Sequence, residues 1–390
     1  MTGRERILAT LAGELPDYVP FCPNLYQWFY YHLYQGSLPP ELERASHPID
    51  ALRCLGADVL ARWDTAKATR AVYREGRYQS EYLGNVKRDT ELVTGFNTYP
   101  PGKVGQRQEF ETPYGTLSQQ WVFRAEAGTD FEAEHWWKDY DSEYDAIRFM
   151  LEAKDYEFDY ELFAKWVKQL GEDGVVMLQI NESPLKMLHW LAGQEKASTF
   201  IMDHPSEMKD LARIHEEKTL AYLERVVDVD QALVFVSLDN LDSMFYSPAF
   251  FRDFCLGFFA QAAEIVHSRS KFLFVHSCGR NRVLMPLVGQ AKIDCLEGLT
   301  PPPLGDVALA EARQLIGYER FTVNGGMISQ LLEMDHDAQT QIHGYTRQLF
   351  EEMAEKSHFI FGSSCNTSPL TPWENLKHFR DAAREYGRIR

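Results

Sequence analysis

The chain has 390 residues, 45% hydrophobic and 25% charged, enough to bury a sizeable core without disulfides. Lys and Arg number 40 against 57 Asp and Glu, a net charge of −17, and no basic run interrupts the acidic background. That excludes a surface built to track nucleic-acid phosphates. No apolar stretch approaches the roughly 20 residues of a membrane span, and the opening MTGRERILATLAGELPDYVPF lacks the basic head and apolar run of a signal peptide, so a cytoplasmic protein is expected.

In chain order, residues 3–13 read as a helix, 19–22 as a first strand and 57–60 (ADVL, followed by ARWDT) as a second. From 65 to 144 the rhythm breaks. This segment is polar and turn-rich (NTYPPGKVGQ, ETPYGTLSQ), its rings recur in strand-like alternation, and it is expected to be a β-rich, lid-like insertion over one mouth of the fold. Beyond about residue 145, strands at 175–180, 233–238, 272–275, 293–296, 321–323 and 359–361 alternate with helices, among them 205–227, 248–267, 330–356 and 372–386. The last helix carries a Thr371/Glu374 capping-box pattern. About eight strands make a (β/α)8 TIM barrel, one domain over 1–390, the economical architecture. An open doubly wound sheet is the alternative, weakened because no GxGxxG follows any strand.

In such a barrel the chemistry sits where strands end. Those positions hold Asn181 and Glu182, Asp239 and Asn240, His276 and Cys278, Glu297, Asn324 and Cys365. In His276-Ser277-Cys278-Gly279, a spacing of two puts imidazole and thiol on one face of an extended segment, and Gly279 lets the backbone turn away. Cys365, at the end of the last strand, would supply a third soft ligand. Two thiolates and one imidazole select zinc and leave a position open. The plain alternative is a turn and a small buried thiol. Of the six cysteines, Cys22, Cys54, Cys255 and Cys295 read as core thiols, and helical His189, His215, His267, His343 and His378 as surface or packing residues.

The opening segment, ETPYGTL, HSCG, DCLEGLTPPPLGDVALAEA, NGG and GSSCNTSPLTPWENL resemble the uroporphyrinogen decarboxylase superfamily, and within it the zinc-dependent cobamide methyltransferases. The resemblance spans nearly the whole chain, least well over 65–144. It implies a (β/α)8 barrel and a zinc triad of His276, Cys278 and Cys365. Two departures separate the chain from the decarboxylase. The arginine-rich segment that binds porphyrinogen carboxylates there is NLYQWFYYHLYQG here, and Cys365 stands near where a late histidine would be.

The resemblance further implies methyl transfer involving the cobalt of a corrinoid (cobalamin) carried by a partner protein. One direction is corrinoid to a thiol of the coenzyme M type. The other is methyl donor to cobalt(I), with zinc as Lewis acid on the departing oxygen. The 13% aromatic content favours the second with a methoxylated aromatic donor, an O-demethylation. Tyr26, Trp28 and Tyr30, with Asn181, are candidate substrate contacts. Tyr73, Tyr78, Tyr82, Phe96, Tyr99, Tyr114, Trp121 and Phe123 of the insertion are either further contacts or that segment's own core. Glu182 and Glu297 are candidates for a fourth ligand or a proton donor, and Asp239 for orienting His276 through its second nitrogen. Each carboxylate is equally readable as a strand-end residue bonded to loop backbone. A tetrapyrrole decarboxylase and a non-catalytic zinc or corrinoid binder remain the rival readings.

Overall fold

Short runs that are apolar on both faces form parallel strands, because only a sheet covered on each side can bury them. The computed structural model describes residues 1–62, 67–88, 91–94, 97–353 and 356–389. Helices α1 (Gly3–Leu11), α2 (Tyr26–Gln35) and α3 (Pro48–Leu55) precede β1 (Val59–Ala61). Next come β2 (Thr69–Tyr73), β3 (Arg77–Leu83), β4 (Leu92–Val93), β5 (Thr98–Tyr99), β6 (Gly105–Thr112), β7 (Gly115–Arg124) and β8 (Thr129–Glu134). Helix α4 (Tyr140–Ala153), β9 (Lys154–Phe158) and α5 (Tyr160–Leu170) lead into β10 (Gly174–Gln179). Helices α6 (Pro184–Ala192), α7 (Gln194–Asp203) and α8 (Pro205–Val226) follow. The remaining strands are β11 (Val234–Leu241), β12 (Phe272–Ser277), β13 (Cys295–Leu299), β14 (Thr322–Met327) and β15 (Phe359–Ser363).

Strands β1, β10, β11, β12, β13, β14 and β15 pair in that order into one curled, seven-stranded parallel sheet. Strand order follows chain order without the reversal of a doubly wound sheet, which is the pattern of a TIM-like barrel. Residues 20–22 bond to both edges. Phe361 N donates to Pro20 O (2.9 Å) and Cys22 N to Phe361 O (2.8 Å), while Asp58 N, just ahead of β1, donates to Phe21 O (2.8 Å).

Between β1 and α4, strands β3, β6, β7 and β8 form an antiparallel sheet, and β4 pairs with β5. Its rings divide: Phe110 joins the main core, Tyr99 and Phe123 pack in a local cluster, and Tyr78, Tyr82 and Tyr114 are exposed. Phe96 and residues 63–66 of the ARWDT run lie outside the described residues.

Three local expectations need correction. The 330–356 helix is two, Ser329–Leu332 and Ala338–Glu352, because Asp337 takes a left-handed φ of 54° between them. The capping box is not formed: Pro372 occupies the cap position and Glu374 pairs with Lys377 (2.6 Å). Cys54 is exposed on α3, whereas Cys22, Cys255 and Cys295 are buried as expected.

His189 on α6 is only 4% exposed, and neither ring nitrogen has a hydrogen-bond partner. Burial, aided by Lys186, pulls its pKa down to about 4. Between pH 7 and pH 5 the unfolded chain therefore protonates this ring and the folded chain does not, so stability falls with pH, by about 2 kcal/mol from this group. Urea unfolding at both pH values should show His189→Leu losing less stability on acidification by about that amount. An unchanged loss would contradict the assignment.

Candidate metal centre

Side chains alternate across a strand, so one set of alternate residues lines the inside of a curled sheet. Here Val175, Met177, Val234, Val236, Phe274, Cys295 and Ile360 form one apolar cluster with Ile7 and Leu11 of α1, and Leu60 packs against it. Two residues further along three of these strands the column changes character. Leu60 is followed by Arg62, Phe274 by His276 and Cys295 by Glu297. Strands β12 and β13 pair Phe274 with Cys295 and His276 with Glu297, so the imidazole and the carboxylate are cross-strand neighbours by register.

His276, Cys278 and Cys365 converge, with one ligand atom from each within 4.8 Å of the others. His276 Nε2 lies 3.2 Å from Cys278 Sγ and 3.8 Å from Cys365 Sγ, and the two sulfurs are 3.3 Å apart. Gly279 turns the chain away with φ 66°, and a Cβ there would lie 2.1 Å from an Asp242 carboxylate oxygen. At Gly298 (φ 89°) a Cβ would meet Ser364 O at 2.9 Å and the His276 ring at 3.2 Å. Backbone conformation therefore disfavours a side chain at both positions, and at Gly298 the Ser364 carbonyl excludes it sterically as well. The group is a compact soft donor set able to hold a metal ion.

Behind the imidazole lies a buried charge relay. Glu297 Oε2 accepts from His276 Nδ1 and from Arg62 Nη1 (2.5 Å). Arg62 Nη1 is also 3.1 Å from Nδ1, but both groups address the same carboxylate oxygen, which keeps the ring proton on Nδ1 and turns Nε2 toward the thiols. Arg62 Nη2 donates to Asn366 Oδ1 (3.2 Å), which also accepts from Asn24 (2.8 Å). Burial works to raise the Glu297 carboxyl, but Arg62 and His276 outweigh it and hold it at about 2. Burial pulls the imidazole the other way, and Glu297 more than reverses that, raising it to about 9. Between the sulfurs, the hydrogen bond from Cys278 lowers the Cys365 thiol against burial, with help from His276, and the same contact raises Cys278. The contact thus favours a single thiolate shared between the two sulfurs.

The other predicted residues fall elsewhere. Asp239 has the opposite parity to Val236 and is fully buried in its own network: it accepts from Ser183 N (3.1 Å), Ser237 Oγ (2.5 Å) and the Tyr246 hydroxyl (3.2 Å). Glu297, not Asp239, orients His276. Being ionised, Glu297 has no proton to deliver to a leaving group. Asn181 and Glu182 line a separate cavity, where the Glu182 carbonyl accepts from the buried His215 Nε2 (2.8 Å). On α2, Trp28 is core: its indole donates to Thr371 O (2.8 Å) and stacks on Trp373. Tyr26 is also buried, and Tyr30 packs on Phe29 and His47. Arg62, Asn366 and Asn24 were missed, although the strand parity that selects His276 and Glu297 also selects Arg62.

Replacing Glu297 by Gln should weaken the affinity for added Zn2+ by roughly 10- to 100-fold, because the imidazole loses its charged partner. Asp239→Asn should leave that affinity unchanged and instead destabilise the fold by about 1–3 kcal/mol. Metal titration with parallel unfolding curves separates the two. Equal effects on metal affinity would contradict the division of roles.

The uroporphyrinogen decarboxylase (URO-D) family matches residues 143–386. Among solved structures, a methyltransferase from Methanosarcina mazei is similar over 99% of both chains, with TM-score 0.60 and 15% identity, a likeness of fold. A psychrophilic glycoside hydrolase family 10 endo-beta-1,4-xylanase is similar over 58% of this chain and 82% of its own, with 14% identity and a TM-score of only 0.37. No curated protein matches significantly. With six of the seven strands of its parallel sheet, the candidate metal-ligand group and Glu297 inside the matched span, the chain belongs to the uroporphyrinogen decarboxylase family.

Proposed function

We propose that this protein is a cytoplasmic, zinc-dependent methyltransferase that moves the methyl group of a methoxylated aromatic compound to the cobalt(I) corrinoid of a partner protein. The observation that carries this reading is the convergence of one imidazole and two thiols at strand ends. Two thiolates and an imidazole suit zinc, and three protein ligands leave a position for a reacting atom. The likeness in fold to the Methanosarcina mazei methyltransferase supports it. In the proposed architecture 1–390 is one (β/α)8 barrel, with residues 20–22 as its eighth staves and 65–144 as the lid over its mouth.

In the reaction, the methyl carbon leaves the aryl ether oxygen. The electron pair of the broken C–O bond would stay on that oxygen, and the partner's cobalt(I) would supply the pair for the new Co–CH3 bond. Zinc supplies Lewis-acid polarisation of the departing oxygen when bound. The chain's own part is to hold the ligands in state and place. Glu297 keeps a His276 proton on Nδ1, Arg62 keeps Glu297 ionised, and the Cys278–Cys365 contact favours a thiolate at the site. Arg62 is committed to Glu297 and Asn366, which disfavours the rival in which an anionic thiol substrate of the coenzyme M type pairs with it.

Mixing zinc-loaded protein with a cobalt(I) corrinoid protein and 2-methoxyphenol should give the spectrum of methyl-cobalt, and Cys365→Ser should lose both zinc and turnover. No spectral change with any methoxyarene, alongside methyl transfer from methyl-corrinoid to a thiol, would reverse the direction. Turnover retained in Cys365→Ser would overturn the ligand set.

A further inference from the structure

A cavity of about 190 Å³ lies between the β-rich segment and the end of β10, and none of the three metal-ligand residues lines it. Its walls carry five rings, Tyr73, Trp121, Trp136, Tyr156 and Trp190. An apolar cavity of about 150 Å³ takes up benzene, so this volume suits one substituted ring. Two polar atoms on its lining residues are buried without a hydrogen-bond partner: Asn181 Nδ2, a donor, and Glu132 Oε1, an acceptor. Unpaired buried groups of opposite character on one small cavity are costly unless something satisfies them.

Register gives the cavity's position. Gln179 pairs with Val236 and Val236 with Phe274, so two residues on Asn181 stands level with His276. Two strand spacings, about 10 Å along the sheet, separate them. Elsewhere, the cavity beside Arg6 and Asp58 is bounded by an ion pair, and the one beside Lys67 and Glu157 is lined mostly by charged side chains, with Phe158 and Tyr160 its two rings.

We infer that this cavity is the seat of the aromatic ring of a monocyclic methoxyphenol, whose hydroxyl donates to Glu132 and accepts from Asn181, leaving the ether oxygen free of both groups. The two groups match the donor and acceptor character of one hydroxyl, and the five rings supply stacking. Burial raises the Glu132 and Glu182 carboxyls, and Lys154 on the same lining keeps its ammonium. This names the ring-binding part of the proposed donor site and in that respect rests on the methyl-transfer reading, but ring binding itself requires neither metal nor corrinoid.

The test is calorimetric titration of the full chain with 2-methoxyphenol, metal-free and zinc-loaded. One site is expected in both, weakened about fivefold or more by Asn181→Leu and, independently, by Glu132→Ala, and retained in Cys365→Ser. Melting curves identify any variant that fails to fold, and the two variants lie on different elements. Absence of binding to the wild type, or binding lost in Cys365→Ser and kept in the other two, overturns the seat. Binding as expected without methyl-cobalt formation upholds the seat and overturns the methyl-transfer reading.

Discussion

One buried carboxylate organises the centre. Glu297 is the common partner of a guanidinium on β1's end and an imidazole on β12, so three distant stretches of chain are tied at a single oxygen. A carboxylate this deep would be strongly disfavoured alone. Arg62 makes it tolerable, and the charge it keeps fixes which nitrogen of His276 carries the proton. The ring then turns Nε2, the nitrogen that would ligate a metal, toward the thiols. The constraint runs outward as well, since Arg62 is held by Asn366, one residue beyond Cys365, and Asn366 in turn by Asn24. The loop that carries Cys365 is therefore positioned by the same network that sets the imidazole.

Much of this arrangement was readable from residue spacing. The strand runs after residue 170 fall within four residues of the observed bounds, because each is apolar on both faces and bounded by polar strand ends. His276 and Cys278 follow from a spacing of two on a strand. The register partner Glu297 and the parity partner Arg62 follow from the same rule, had it been applied across strands: Phe274 and Cys295 point inward, hence so do His276 and Glu297. The parity of Asp239, which packs with Ser183, Ser237 and Tyr246, marks it as outward. Strand-end position alone is too coarse a criterion, because half of such residues face the helices.

Aromatic content was the less reliable guide. Rings in an amphipathic helix such as Tyr26–Gln35 are the means by which that helix docks, and Trp28 and Phe29 are spent in the core. Rings that border space are recognisable only once β7, α4, β9 and α6 are assembled around the end of β10, which no local pattern encodes. The β-rich segment and the parallel sheet thus contribute different parts: the sheet places ligand atoms through register, and the segment contributes walls.

The central claim is that His276, Cys278 and Cys365 together hold zinc. X-ray absorption spectroscopy of the zinc-loaded chain measures this directly. The account predicts a first shell with two sulfurs at about 2.3 Å and an imidazole nitrogen at about 2.0–2.1 Å. A shell of oxygen and nitrogen without sulfur would contradict it.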